Sequence, residues 1–214
     1  MSWINRYLDN SDFTKIENVI SEVEAETSGE IVPVIVKNSS SVGHVPLTLT
    51  LIITLMLVLV EMPFSDWLWV KPWIWVWPFL VLGIYFVSVL LARFLWVQKL
   101  LVPEKDEMEQ VHQRACLEFY LNRVQGTSKR TGVLIFVSVM EKKAVILADE
   151  GISSKLPPET WDHLLVDFRV KLNQGQWVEG FTEAIRECGK HLKTHFPIST
   201  PSGNQLKNHL VVKE

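Results

Sequence analysis

The sequence predicts an α/β domain, its strands joined in one sheet covered by helices, interrupted by a transmembrane helical hairpin. Three observations carry that reading. Residues 45–97 hold two long apolar runs. The flanking segments alternate amphipathic helical patterns with short β-branched runs, and neither flank has enough strands for a sheet of its own. One strand before the hairpin is unstable alone, and the two after it need a partner and helical cover, so the flanks are expected to meet in one domain. The 214 residues thus divide into 1–44, the first part of the soluble domain, 45–97, the hairpin, 98–197, the second part, and 198–214, a flexible tail.

Trp3, Ile4, Tyr7 and Leu8 fall at helical spacing, and Asp9, Asn10, Ser11 and Asp12 offer N-caps for a second helix. That helix buries Phe13, Ile16, Ile20 and Val23 and ends near Gly29. Residues 30–37 (EIVPVIVK) read as a strand, in which Pro33 lacks a ladder donor and suits an edge or a strand end. Residues 38–43 form a polar linker.

The first apolar run, Val45–Phe64, has a single charge at Glu61, and the second, 72–92, has none. Each matches the length needed to cross a hydrocarbon core of roughly 30 Å. Trp67, Trp69, Trp73, Trp75 and Trp77 suit the headgroup level at one interface, with Phe94, Trp96 and Lys99 as the opposite belt. The connecting loop carries Lys71 alone, whereas Lys37, Arg93, Lys99, Lys105 and Arg114 lie on the side of the termini. The positive-inside rule then places both termini and the domain in the cytoplasm, at an inner (plasma) membrane. The first thirty residues lack the apolar core of a signal peptide. Thr48, Thr50 and Thr54 are positioned to bond a neighbouring helix or their own backbone.

Pro103 opens the next helix, whose acidic first turn of Glu104, Asp106 and Glu107 complements the helix dipole. Its packing face is Met108, Val111, Ala115 and Phe119, widened by Cys116, Leu117 and Tyr120. Residues 132–140 and 143–149 are strands close enough for a hairpin, and their continuous apolar runs imply burial on both faces. Pro157 and Pro158 open a helix with the stripe Trp161, Leu164, Leu165, Phe168 and Leu172. The last stripe is Trp177, Phe181, Ala184, Ile185, Cys188 and Leu192, followed by a cationic final turn before Pro197. Little of 198–214 is apolar enough to bury, hence the tail.

A net charge of −3 without a basic patch argues against nucleic acid as a partner. Cys116 and Cys188 are too far apart for a CxxC site and read as free thiols.

The segments Glu26-Thr27-Ser28-Gly29-Glu30-Ile31-Val32-Pro33-Val34, Gly132-Val133-Leu134-Ile135-Phe136-Val137, 143–152 and Gly180-Phe181-Thr182-Glu183-Ala184-Ile185 resemble the TPM domain family. The resemblance covers most of the soluble part and implies a small mixed sheet between helices. The family includes a thylakoid protein for which phosphatase activity and calcium binding have been proposed, and a receptor auxiliary subunit that is not an enzyme. Where the family usually has Gly-Tyr-Gly after the third strand, this chain has Asp149-Glu150-Gly151, and the Asp that commonly follows is missing among Ser153, Ser154 and Lys155. The chain looks like a short branch of the family with an internal membrane hairpin.

Glu30 at one strand start, with Asp149 and Glu150 at another strand's end, are the candidate ligands for a hard cation, calcium or magnesium, which takes oxygen donors. His191 and His195 share a helical face without a third ligand, so they read as dipole compensation. His112 and Arg114 are polar positions on an amphipathic helix. Cys116 has no His and Asp placed to activate it, and Ser138, Ser153 and Ser154 lack a GxSxG context. No complete catalytic set appears. The expected role is a membrane-tethered interaction or accessory module for membrane protein assembly or maintenance, with membrane-protein partners or self-association. The alternative is a weak Ca/Mg-dependent phosphatase.

Overall fold

The computed structural model describes residues 3–39, 45–64, 76–94, 97, 101, 104–198 and 206–214. The chain forms two compact units, Met1–Ser40 with Met108–Glu214, and Ser41–Glu107. The strands that neither flank could hold alone therefore meet in one unit.

In that unit a sheet runs in the order β3-β2-β1-β4, built from β1 (Glu30–Val36), β2 (Gly132–Ser138), β3 (Lys143–Ala148) and β4 (Val211–Lys213). β1 is parallel to β2 and to β4, and β2 is antiparallel to β3. The two-residue period of the strands divides their side chains between two cores. Ile31, Ile35, Val133, Ile135 and Val137 pack with α1 (Asn10–Glu24), α5 (Asp162–Asn173) and α6 (Trp177–His195). Val32, Val34, Val36, Leu134 and Phe136 pack with Val111 and Ala115 of α4 (Glu104–Leu121). Helices thus cover both faces, as expected.

Local chemistry explains the element ends. Asp9 caps α1 through the backbone of Ser11 and Asp12, and Asp12 returns the bond to the Asp9 N–H. Gly29 lets the chain pass Leu192 closely, since a Cβ there would stand 2.9 Å from its Cδ1. Thr27 Oγ1 donates to the Phe196 carbonyl at 2.7 Å, which ties the Glu-Thr-Ser-Gly segment to the end of α6. The first stripe forms a 3-10 turn, Ile4–Arg6, instead of an α-helix.

Four expectations need correction. The residues read as a flexible tail contain β4, with Leu210 buried beside it. Three strand residues are too few to show a period, and their partner lies far back in the sequence. Pro33 is not on an edge strand, because β1 is central. The Glu30 N–H donates to Thr131 O and the Val139 N–H to Val36 O, so even-numbered residues of β1 turn their backbone to β2. Pro33 therefore faces the other side, where β4 pairs only Val34 to Val36 and no ladder donor is missed. β3 is an edge strand and buries alternate residues instead of both faces. On α4 the buried positions are Val111, Ala115 and Glu118, while Leu117 and Tyr120 are exposed, because a salt-bridged carboxylate takes the core-facing place.

In the second unit α2 (Val45–Phe64) packs with α3 (Val76–Leu91). Thr50 is buried and its hydroxyl donates to its own helix at Pro46 O, 2.7 Å, while the Thr54 and Ser88 hydroxyls are buried without a partner. The large apolar side chains point outward, with Leu51 69% and Phe79 75% exposed. Among the described residues no helix is long and apolar enough to cross a membrane. The expected loop with Trp67, Trp69, Lys71, Trp73 and Trp75, and the belt residues Trp96 and Lys99, lie outside the described residues.

Candidate functional site

The three expected carboxylates do not converge. Glu30 is paired across β1–β2 with Gly132, and the Asp149 N–H donates to the Gly132 carbonyl, so the two acids flank β2 from opposite sides. Two strand spacings put their backbones roughly 10 Å apart. Glu30 and one oxygen of Asp149 are also bonded elsewhere, while Asp149 Oδ2 is buried without a hydrogen-bond partner. Asp149 is buried, accepts the Glu150 N–H at 2.8 Å as a helix cap, and receives Arg130 Nε at 3.4 Å on the same oxygen. Arg130 Nη1 also stands 3.5 Å from Glu150. A cation of the chain's own thus serves this pair. Gly151 permits the tight turn, because a Cβ there would press on the Lys129 and Arg130 carbonyls at 2.5 and 2.6 Å. Among the described residues no three His, Cys, Asp or Glu side chains could hold a metal ion. Calcium takes six to eight oxygens and magnesium a strict octahedron, so these residues do not fit the cation that the family resemblance implies.

Glu30 belongs instead to a cluster at the start of β1. Its Oε2 accepts the Leu206 N–H at 3.3 Å, and Glu24 Oε1 accepts the Ile31 N–H at 2.8 Å, on the side of β1 that β4 does not reach. Burial, opposed by the Ile31 bond and reinforced by the charge of Glu30, pushes the Glu24 carboxyl up to about 8. Two further acids are buried and fully engaged. Glu118 takes Arg114, Lys213 Nζ at 2.6 Å and Asn122 Nδ2 at 3.1 Å, which clips β4 to α4. Glu141 takes the Ser138 hydroxyl and the Ser39 N–H, and Ser39 donates to Ser138 at 2.8 Å. Sequence reading missed all three: at helix positions 24 and 118 charge pattern alone predicts solvent, and the partners are distant in sequence.

Several of the remaining candidates have structural roles. Arg114 serves Glu118 and the Glu214 carbonyl. The His191 ring meets Trp161 edge-on with centroids 5.8 Å apart. Cys188 is fully buried, which pushes its thiol up and leaves it inert. Ser138 is engaged as above, and Ser153 and Ser154 bond local carbonyls.

One cavity of about 250 Å³ opens where β2 ends, lined by residues that include Tyr7, Lys142, Arg169, Leu172 and Trp177. None of these was a candidate in the sequence. The available signal was Arg169, a cation set between Phe168 and Leu172 of the buried stripe.

No curated protein matches the chain. A solved structure does, that of the BA42 protein from the psychrophilic bacterium Bizionia argentinensis, determined by NMR. It is 20% identical, covers 99% of each chain and superimposes with a TM-score of 0.61, a likeness of fold alone. The family model described as the TPM domain matches residues 92–191. With the mixed sheet between helices found here, residues 92–191, just under half of the chain, are similar to the TPM domain.

Proposed function

We propose that this TPM-domain protein is tethered to an inner (plasma) membrane by α2 and α3 and serves as an interaction or accessory module for membrane proteins, its TPM domain in the cytoplasm. One observation carries the reading. Of the 24 large apolar side chains exposed among the described residues, nine lie on α2 and seven on α3, which makes that unit apolar on its outside. A helix apolar all round is buried in a large core or in lipid, and a contiguous patch of this kind is disfavoured in water. The twenty residues of α2 rise ~30 Å and the sixteen of α3 ~24 Å. Thr50, Thr54 and Ser88, the small polar residues buried there, are of the kind that lines helix contacts in lipid. On the first unit, exposed Leu117, Tyr120 and Leu121 at helical spacing on α4 supply a surface for a protein partner.

Reporter fusions after Ser65 and after Gly126 test the topology: an extracytoplasmic signal from the first and a cytoplasmic one from the second are expected, and the reverse pattern refutes it. Affinity purification from solubilised membranes, repeated with 45–97 exchanged for an unrelated hairpin, tests the contact role. Recovery of the protein alone in both forms, together with turnover of a phosphoester, would replace this reading with an enzymatic one.

A further inference from the structure

We propose that the cavity at the end of β2 binds a small, single-ring aromatic carboxylate. Arg169 sets the charge. Its Nη2 donates to the Ala144 carbonyl at 2.8 Å, which fixes the guanidinium, while its Nε is buried without an acceptor. A guanidinium lining a cavity that has no acidic side chain favours an anionic ligand, and a carboxylate matches its planar fork of donors. The lining contains a second cation, Lys142, and no acidic side chain. Lys142 is exposed and takes φ +55° in the β2–β3 turn, a conformation that favours Gly or Asn, so a cation stands at a place where the turn itself does not ask for one.

The wall selects the ligand's body. Tyr7 and Trp177 meet edge-to-face with centroids 4.8 Å apart, and Leu172 adds an apolar surface. Aromatic walls of this kind favour a flat ring. The volume of about 250 Å³ lies just below the roughly 300–1,000 Å³ of drug-sized sites, which suits one ring with one acid group. A phosphate dianion favours several converging cationic donors, and Arg169 and Lys142 are the two cations in the lining. The cavity is also at the carboxyl end of β2, the end at which open α/β sheets take their ligands.

Calorimetric titration of the full chain in lipid nanodiscs tests the proposal, with benzoate as the probe and benzyl alcohol and inorganic phosphate as comparators. Benzoate is expected to bind with a Kd of about 1 mM or tighter, benzyl alcohol at least ~10-fold more weakly, and phosphate without displacing benzoate. Arg169→Gln should weaken benzoate ~10-fold or more and leave benzyl alcohol unchanged. Because that variant also loses the bond to Ala144, Lys142→Gln provides the second test on an exposed side chain and should weaken benzoate a few-fold. Equal binding of benzoate and benzyl alcohol, displacement of benzoate by phosphate, absence of saturable benzoate binding, or Arg169→Gln and Lys142→Gln variants that both retain full affinity would each overturn it.

Discussion

Replacing Glu24 by glutamine should remove a pH dependence that the rest of the fold does not need. The carboxyl is pushed from 4.5 to about 8, first by burial and then by the neighbouring charge of Glu30. The folded chain therefore holds a proton that the unfolded chain releases, and stability is fully present below pH 4.5 and falls as pH rises to about 8. At ~1.4 kcal/mol per unit the shift sets a ceiling of ~5 kcal/mol. Local relaxation around a partly buried carboxyl reduces this, and ~2–3 kcal/mol is expected. Glu24→Gln keeps the side-chain oxygen that accepts the Ile31 N–H, so the pH slope should flatten without loss of that bond. At pH 8.5 the variant should melt ~4–12 °C above the parent, and at pH 4.5 the two should nearly coincide. Thermal unfolding of both proteins in one detergent, from pH 4.5 to 9, measures this. Parallel curves across that range would show that Glu24 is ionised at ordinary cost, and the reasoning would fail.

Glu118→Gln should destabilise the first unit by ~2–3 kcal/mol, below the ~3–5 kcal/mol of breaking a fully buried ion pair, because Lys213 and Arg114 retain about 30% exposure and can be rehydrated. Hydrogen exchange should then accelerate at Val211–Lys213 ahead of the remaining strands, and unchanged exchange there would mean that the pair does not hold β4. Gly189→Ala should cost ~1–3 kcal/mol, since a Cβ on α6 would overlap Val23 of α1, whereas Gly83→Ala on α3 meets nothing within 4 Å and should be neutral or stabilising. Equal melting of the two variants would argue against close α1–α6 packing.

The sequence made the periodic parts legible. The stripe Phe181, Ala184, Ile185, Cys188 and Leu192 buries as read, because a 3.6-residue period over about three turns has one solution. β1, β2 and β3 followed from β-branched runs and from the need of each for a partner. What stayed hidden depends on distant residues. Val211 has no strand signal until β1 lies beside it, and Glu118 looks like a solvated helix acid until Lys213 arrives. The placing of the candidate metal ligands was also hidden: Glu30 and Asp149 lie on opposite sides of β2, and their oxygens turn to Leu206 and to Arg130, partners that strand ends in the sequence do not reveal. The cavity combines a turn, two helices and an N-terminal tyrosine, a set that no linear pattern displays.

The central place of β1 has a consequence for biosynthesis. β1 is made before either of its neighbours, and its second partner is completed only at Lys213, 177 residues after Val36 (213 minus 36). At ~5–20 residues per second, the strand waits ~9–35 s for its full complement of hydrogen bonds. During that interval an almost wholly apolar segment, EIVPVIV, has two open edges while two further apolar segments are emerging. Pro33 then interrupts the donor row on one edge, which blunts pairing with another nascent chain. Translation speed and chaperone supply, more than the equilibrium stability of the finished sheet, should therefore govern the yield of folded protein.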